Sequence, residues 1–531
     1  MTEKVVDFKL EEAETTQKTN FRQELMNYRS FMNNNVYSLM GADDKRPPTW
    51  RNFITLCVAT FLAITSVMPT RNLQASVYTD SHLGKLSLCC MYGFYLIGCF
   101  SAKPLMDHCR PKCIMLISLF VHVLYSISNA VPSFYTVLPS AAMLGFTHPV
   151  MWSIQERLML GYSLSYTASS TLTLQSSLHS FQTLMVIIIH SAHIMGNLLS
   201  AGLISVSHIH CPGLSLWGNE TVSGGSHRIH TSGIPNTEDR WTYTLPLMPI
   251  LTRQGGSKPH ELDYYQLLTV LFVCFSVIAM GALLVFFENP DIIIQKKTGN
   301  WKQRLGKLFS ISRDPGWFMG QIGALFNGFL QGMLISDILK IYGSDVFGCF
   351  IVGYMMMCFG TGNLAAILSL DRLKNYRLNI VSLIFGFFLT SFILITSYIW
   401  KPTKQDSIWL LLFIACWGLA DGVMQSQMQA ALSAYFGRHK STAMAGYRVF
   451  QGVGLETSFL MSLFVHDLNI SLYVAGAFHI FSAIGLVWIS RAKRTTRPLN
   501  GAVTTELQSS SSSSIIDQNG MPPEAQFEEP A

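Results

Sequence analysis

Runs of about twenty apolar residues, separated by short polar breaks, recur twelve times along the chain. They lie near residues 53–70, 86–102, 113–131, 134–155, 182–206, 266–287, 317–336, 348–370, 378–399, 408–430, 443–465 and 471–490. A helix rising about 1.5 Å per residue needs about 20 such residues to cross a hydrocarbon layer about 30 Å thick. Charged residues make up only 13% of the chain, about half the share usual in a soluble domain. A water-soluble fold has nowhere to hide this much apolar surface. The spacing predicts an all-α polytopic membrane protein with twelve transmembrane helices, its main surroundings a lipid bilayer.

Basic residues set the sidedness. Lys103, Arg110 and Lys112 follow the second span, Arg372, Lys374 and Arg377 the eighth, and Arg438 and Lys440 the tenth, while alternate breaks are poorer in Lys and Arg. Such residues mark the cytosolic side, so both termini are expected there. Residues 1–50 then form a cytosolic tail without an apolar leader, and residues 51–287 a first six-helix half. Residues 288–315 form a basic cytosolic linker, residues 316–490 a second half, and residues 491–531 a disordered, serine-rich cytosolic tail. The outer loop, residues 208–263, carries Asn219-Glu220-Thr221, a glycosylation acceptor sequence. On this reading the net charge of +6 serves membrane orientation, and no nucleic-acid partner is expected.

The two halves echo each other. Asp107-His108-Cys109-Arg110-Pro111-Lys112 follows span two and Asp371-Arg372-Leu373-Lys374 follows span eight, an offset in numbering of 371 − 107 = 264. Gln155 in span four and Gln427 in span ten give 427 − 155 = 272. Similar offsets suggest a duplicated six-helix unit, the parallel repeat of the major facilitator superfamily fold. Ordinary positive-inside charge is the plainer account of the turns themselves.

Span ten holds the most unusual residues. Counted from Ile408, Asp421 lies roughly 20 Å into the hydrocarbon layer. Asp421, Gln425 and Gln429 stand at i, i+4 and i+8, which stacks them on one helix face. Such a stripe faces partner helices or a central cavity, because an ionised group at that depth costs at least about 2.5 kcal/mol. Interhelical hydrogen bonding is the plainer reading, a solute or proton site the sharper one. Arg448 and Glu456 in span eleven stand within reach of Asp421 if spans ten and eleven pack, and an Asp421–Arg448 ion pair is expected. Trp152, Gln155 and Glu156 share a face of span four. Asp337 and Lys340, at i and i+3 in span seven, read as an intrahelical pair.

Eleven cysteines form no CxxC pair, and most, such as Cys57, Cys99, Cys274, Cys358 and Cys416, lie in apolar segments. Cys211 falls instead in the outer loop, free or paired. His148, His190 and His193 read as packing residues more readily than as a proton relay, and His208, His210 and Cys211 lack a clear fourth metal ligand. The polar segments contain no nucleophile elbow, phosphate-cradling loop, zinc-ligand helix or dinucleotide fingerprint, so no catalytic residue, cofactor or metal is expected. Tyr28-Arg29-Ser30-Phe31 and Tyr37-Ser38-Leu39-Met40 fit a tyrosine-based sorting pattern.

Several stretches taken together resemble the Unc-ninety-three-like family, a branch of the major facilitator superfamily. They are NLQASVY after span one, WSIQ in span four, MGNLLSAG in span five, VGYMMMCFG in span eight, and GLADGVMQSQMQAAL with AGYRVFQGVG across spans ten and eleven. The resemblance runs in order from about residue 50 to 490. It implies a regulatory role: one branch acts on two-pore potassium channels, another escorts nucleic-acid-sensing Toll-like receptors to endosomes. Asp337 and Lys340 match residues the family carries. Gln451 stands where the family has a glutamate after the shared Tyr447-Arg448, and Glu156-Arg157 follows Gln155 where the family is uncharged. The expected function is a non-enzymatic regulatory or accessory partner of another integral membrane protein, a potassium channel or a receptor. It would reside in the plasma membrane or an endosomal or endoplasmic reticulum membrane. The alternatives are a secondary transporter of a small solute or ion, using Asp421 and Gln155, and a trafficking escort.

Overall fold

The computed structural model describes residues 49–78, 81–130, 132–169, 174–207, 262–288, 312–372, 376–436, 440–465 and 467–491. Among these, twelve long helices stand where the apolar runs predict them. They are α1 Thr49–Val77, α2 Ser81–His108, α3 Pro111–Ser128, α4 Phe134–Ser169, α5 Leu174–Ser207 and α6 Leu262–Phe286, then α7 Pro315–Met333, α8 Phe350–Arg372, α9 Tyr376–Ile399, α10 Ser407–Phe436, α11 Lys440–Phe464 and α12 Leu468–Arg491. Helix is the natural answer for a single chain in lipid, since each N–H and C=O finds its partner within the segment. α7 runs on as a π-helical segment, Leu334–Ser344, and a short last turn, Asp345–Phe347.

Ten of the helices are long and apolar enough to cross a membrane. The two that fall short are α4 and α11, which carry Glu156, Arg157, Arg448 and Glu456. Several helices outrun the apolar stretch, because polar sequence continues the helix beyond the point where hydropathy falls. α4 does so most clearly, with its apolar run closing at Gln155 and its helix at Ser169.

The packing repeats with a period of six helices. α1 lies on α5 and α6, α2 on α4, and α3 on α4 and α6; correspondingly α7 lies on α11 and α12, α8 on α10, and α9 on α10 and α12. The two sets meet through α5 on α8 and α2 on α11, again equivalent pairs. Close approach between α2 and α4 depends on Gly145, where a Cβ would stand 1.9 Å from the Met91 carbonyl oxygen. Gly418 is its counterpart in the second set and does the same for α10 against α8, where a Cβ would stand 2.0 Å from the Phe359 carbonyl oxygen. Between membrane helices, where lipid tails are as apolar as the side chains, such backbone approach is a main source of attraction.

Gly145→Ala or Gly418→Ala is expected to destabilise the protein by about 1–3 kcal/mol through overpacking. Gly281→Ala, at a position where a Cβ meets nothing within 4 Å, is expected to be neutral. Thermal unfolding of the purified proteins checks this.

Candidate functional site

Asp421 is 6% exposed, and its carboxylate is enclosed by amides. Oδ1 accepts from Asn327 Nδ2 at 2.7 Å and from Gln331 Nε2 at 3.0 Å, and Oδ2 accepts from Gln331 Nε2 at 3.1 Å and Asn363 Nδ2 at 2.7 Å. Gln451 Nε2 in turn donates to Asn327 Oδ1 at 2.8 Å. Asn327 and Gln331 stand at i and i+4 on α7, one turn of one face, while Asn363 arrives from α8 and Gln451 from α11. Four helices are thus tied at one carboxylate. The adjoining cavity, lined by Gly323, Phe326, Trp417, Asp421 and Tyr447 among others, measures about 10 Å³, room for about one water. Asp421 therefore faces neighbouring side chains. Gln425 and Gln429 lie half-buried further along α10.

The expected Asp421–Arg448 pair does not form, because Arg448 reaches the other set of helices and pairs with Glu156 on α4. Nor do Asp337 and Lys340 pair along their helix. The π segment has a wider turn than an α-helix, and within it Asp337 is buried while Lys340 is half-buried. Asp337 lies 3.7 Å from Lys85 Nζ on α2 and accepts from the Ser462 hydroxyl on α11. Lys85 Nζ also donates to the Ser462 carbonyl at 2.8 Å. Two ion pairs therefore bind the first set of helices to the second, and α11 takes part in both clusters. Glu456 faces α2 at Gly93, where a Cβ would lie 3.8 Å from Oε1.

The remaining sequence candidates disperse. Gln155 donates to the Thr60 hydroxyl at 2.8 Å, joining α4 to α1. Trp152 stacks on His148, with ring centroids 5.8 Å apart, and His148 meets His122 edge-on at 5.7 Å. In the first cytosolic-turn motif, Asp107 lies 3.6 Å from Lys103, Arg110 precedes α3, and Lys112 Nζ caps the end of α6 by donating to the Leu284 and Phe287 carbonyls at 2.8 and 2.6 Å. Asp371 and Arg372 end α8, and their side chains lie outside the described residues, as do Asn219, His208, His210, Cys211, both tails and most of the linker. Cys349 is disulfide-bonded, and the nine other cysteines among the described residues are free.

Sequence reasoning missed Asn327, Gln331, Asn363 and Lys85. The first two carry a readable signal, two amides at i, i+4 in an apolar helix. Lys85 lies just outside the apolar run taken as span two, yet inside α2.

Comparison with known proteins brings these features together. A family profile described as "Ion channel regulatory protein UNC-93" matches residues 76–221, and one described as "Major Facilitator Superfamily" matches residues 243–456. One part of the chain is thus similar to UNC-93 proteins and another to the facilitator superfamily. Protein unc-93 homolog A of Xenopus laevis is 23% identical over 89% of this chain and 99% of its own length, and that of Homo sapiens is 23% identical over 86% and 98%. The Caenorhabditis elegans protein unc-93, named as a candidate potassium channel regulatory protein, is 21% identical over 80% of this chain and 58% of its own length. Solved structures give the fold: the nucleoside transporter NupG has a TM-score of 0.51 at 12% identity, covering 82% of this chain and 98% of that one. The E. coli xylose transporter XylE has a TM-score of 0.50 at 12% identity, covering 84% and 98%. The chain thus has the facilitator architecture of two six-helix sets.

Asp421→Asn turns an NH₂ group onto two amide donors, whichever oxygen it replaces, and is expected to cost about 1–3 kcal/mol. Gln425→Leu, outside the cluster, is expected to stay within about 0.5 kcal/mol. Comparison of their thermal midpoints with wild type tests this.

Proposed function

We propose that this protein is a non-enzymatic regulatory or accessory subunit of another integral membrane protein, with a potassium channel as the favoured partner. The observations that carry the reading are the match of residues 76–221 to a profile described as an ion channel regulatory protein, and the match of 80% of this chain to the Caenorhabditis elegans protein named for potassium channel regulation. The Asp421 cluster agrees with it: three amides around the carboxylate and an adjoining cavity of about 10 Å³ suit an interhelical bond better than a solute site at that residue. Asp421, Gln155 and their partners then serve as interhelical bonds that keep a scaffold in shape.

The proposed topology puts both termini and the linker in the cytosol and loop 208–263, with Asn219 glycosylated, outside. A disulfide at Cys349, between α7 and α8 on the outer side of this topology, agrees with an oxidising exterior. Eleven cysteines less nine free ones and Cys349 leave Cys211. Peptide mapping under non-reducing conditions is therefore expected to recover Cys211 joined to Cys349.

The test of function is crosslinking and co-purification of the tagged protein from its native membrane. A potassium channel among the recovered proteins is the expected result; recovery of no channel and no receptor would remove the proposal.

A further inference from the structure

Arg71 of α1 stands apart from the other membrane charges. It lies near the end of the helix, which closes at Val77; it is half-buried, and it takes part in no ion pair among the described residues. Nη1 donates to the Tyr92 hydroxyl at 2.8 Å, and Nη2 makes a long contact of 3.3 Å to Asn72 Oδ1. Nε is buried and has no acceptor among the described residues. Behind it, Asn72 Nδ2 donates to Asn197 Oδ1 at 3.1 Å and lies 3.5 Å from His193 Nε2. A guanidinium stays charged in any protein setting, and these partners orient it without supplying a negative charge.

The position in the fold matters as much as the pairing. Tyr92 stacks on Phe459 of α11, with centroids 5.2 Å apart and planes at 25°, so Arg71 reaches the seam between the two helix sets. Lys85, with its Asp337 pair, is a couple of helical turns from Tyr92 along α2, about 10 Å. Arg448, with its Glu156 pair, is further from Phe459 along α11, about 16 Å in the other direction. Arg71 therefore lies between the two ion pairs that tie the sets together.

We propose that Arg71, with Tyr92 and Asn72, is a binding site for a small solute carrying a carboxylate. The Nε–Nη2 edge carries two parallel N–H donors of the kind that match the two oxygens of a carboxylate side-on; Nε is buried, so binding uncovers that edge as well as releasing the long contact of Nη2 to Asn72. The Tyr92 hydroxyl fixes the other side of the guanidinium, and the Asn72–Asn197 pair holds α1 against α5. This site is independent of any channel partner, and of the Asp421 cluster in the other set of helices.

The test uses the full-length protein in lipid nanodiscs with sodium acetate and sodium benzoate as probes, and with glucose and sodium chloride at matched ionic strength as controls. At least one carboxylate is expected to raise the thermal midpoint and to bind with a measurable Kd, while glucose and chloride leave both unchanged. Arg71→Lys keeps the charge but loses the two-pronged edge, and is expected to weaken binding at least about tenfold. Arg71→Gln is expected to abolish binding, and Lys103→Gln, an exposed change, to leave it intact. The proposal is overturned if neither carboxylate binds, if chloride produces the same shift, or if Arg71→Lys binds as wild type does. No channel is present in this assay, so its outcome is separate from that of co-purification.

Discussion

A charge or an amide inside hydrocarbon has no water to turn to, so each must be matched by another group of the protein. That constraint arranges this molecule. The Asp421 carboxylate gathers amides from α7 and α8, and through Asn327 reaches Gln451 of α11. Lys85 and Asp337 meet across the two sets of helices, as do Glu156 and Arg448. The apolar remainder gives the helices their place in the bilayer; the polar residues, with close backbone approach at glycines such as Gly145 and Gly418, help to decide which helix lies against which. Hydrophobicity alone could not do so, since lipid tails compete equally for an apolar face.

This division explains what could be read from the sequence. The helix positions were legible because apolar runs of the right length admit little else, and the matching turns at Asp107 and Asp371 already hinted at the repeat that the helix packing displays. The stripe at Asp421, Gln425 and Gln429 was legible as a face, and Asp421 does point into the protein. Which residues would meet it was not, since spacing along one helix fixes a direction but not the neighbour in that direction. The Asp421–Arg448 pairing supposes that spans ten and eleven pack, yet the long side chain of Arg448 spans the seam to Glu156. The Asp337–Lys340 pairing assumed regular α-helical spacing, which the π segment does not keep.

The two polar centres differ in kind. At Asp421 the carboxylate is saturated by four amide contacts and the space beside it is closed, as suits a structural bond. At Arg71 the charge is oriented but not neutralised. One protein can carry both: a saturated carboxylate in the second set of helices, and in the first set a charge set apart at the seam. The facilitator architecture is consistent with either role, and the chemistry of the individual sites distinguishes them.

Matched charges contribute to holding the two sets of helices together, beside the apolar clusters that also span them. Exchange of the Lys85 and Asp337 charges tests this most directly, with thermal unfolding of the intact protein as the readout. Lys85→Asp and Asp337→Lys are each expected to lower the midpoint, and the double exchange to recover most of the loss. A double variant as unstable as the sum of the two single changes would contradict it.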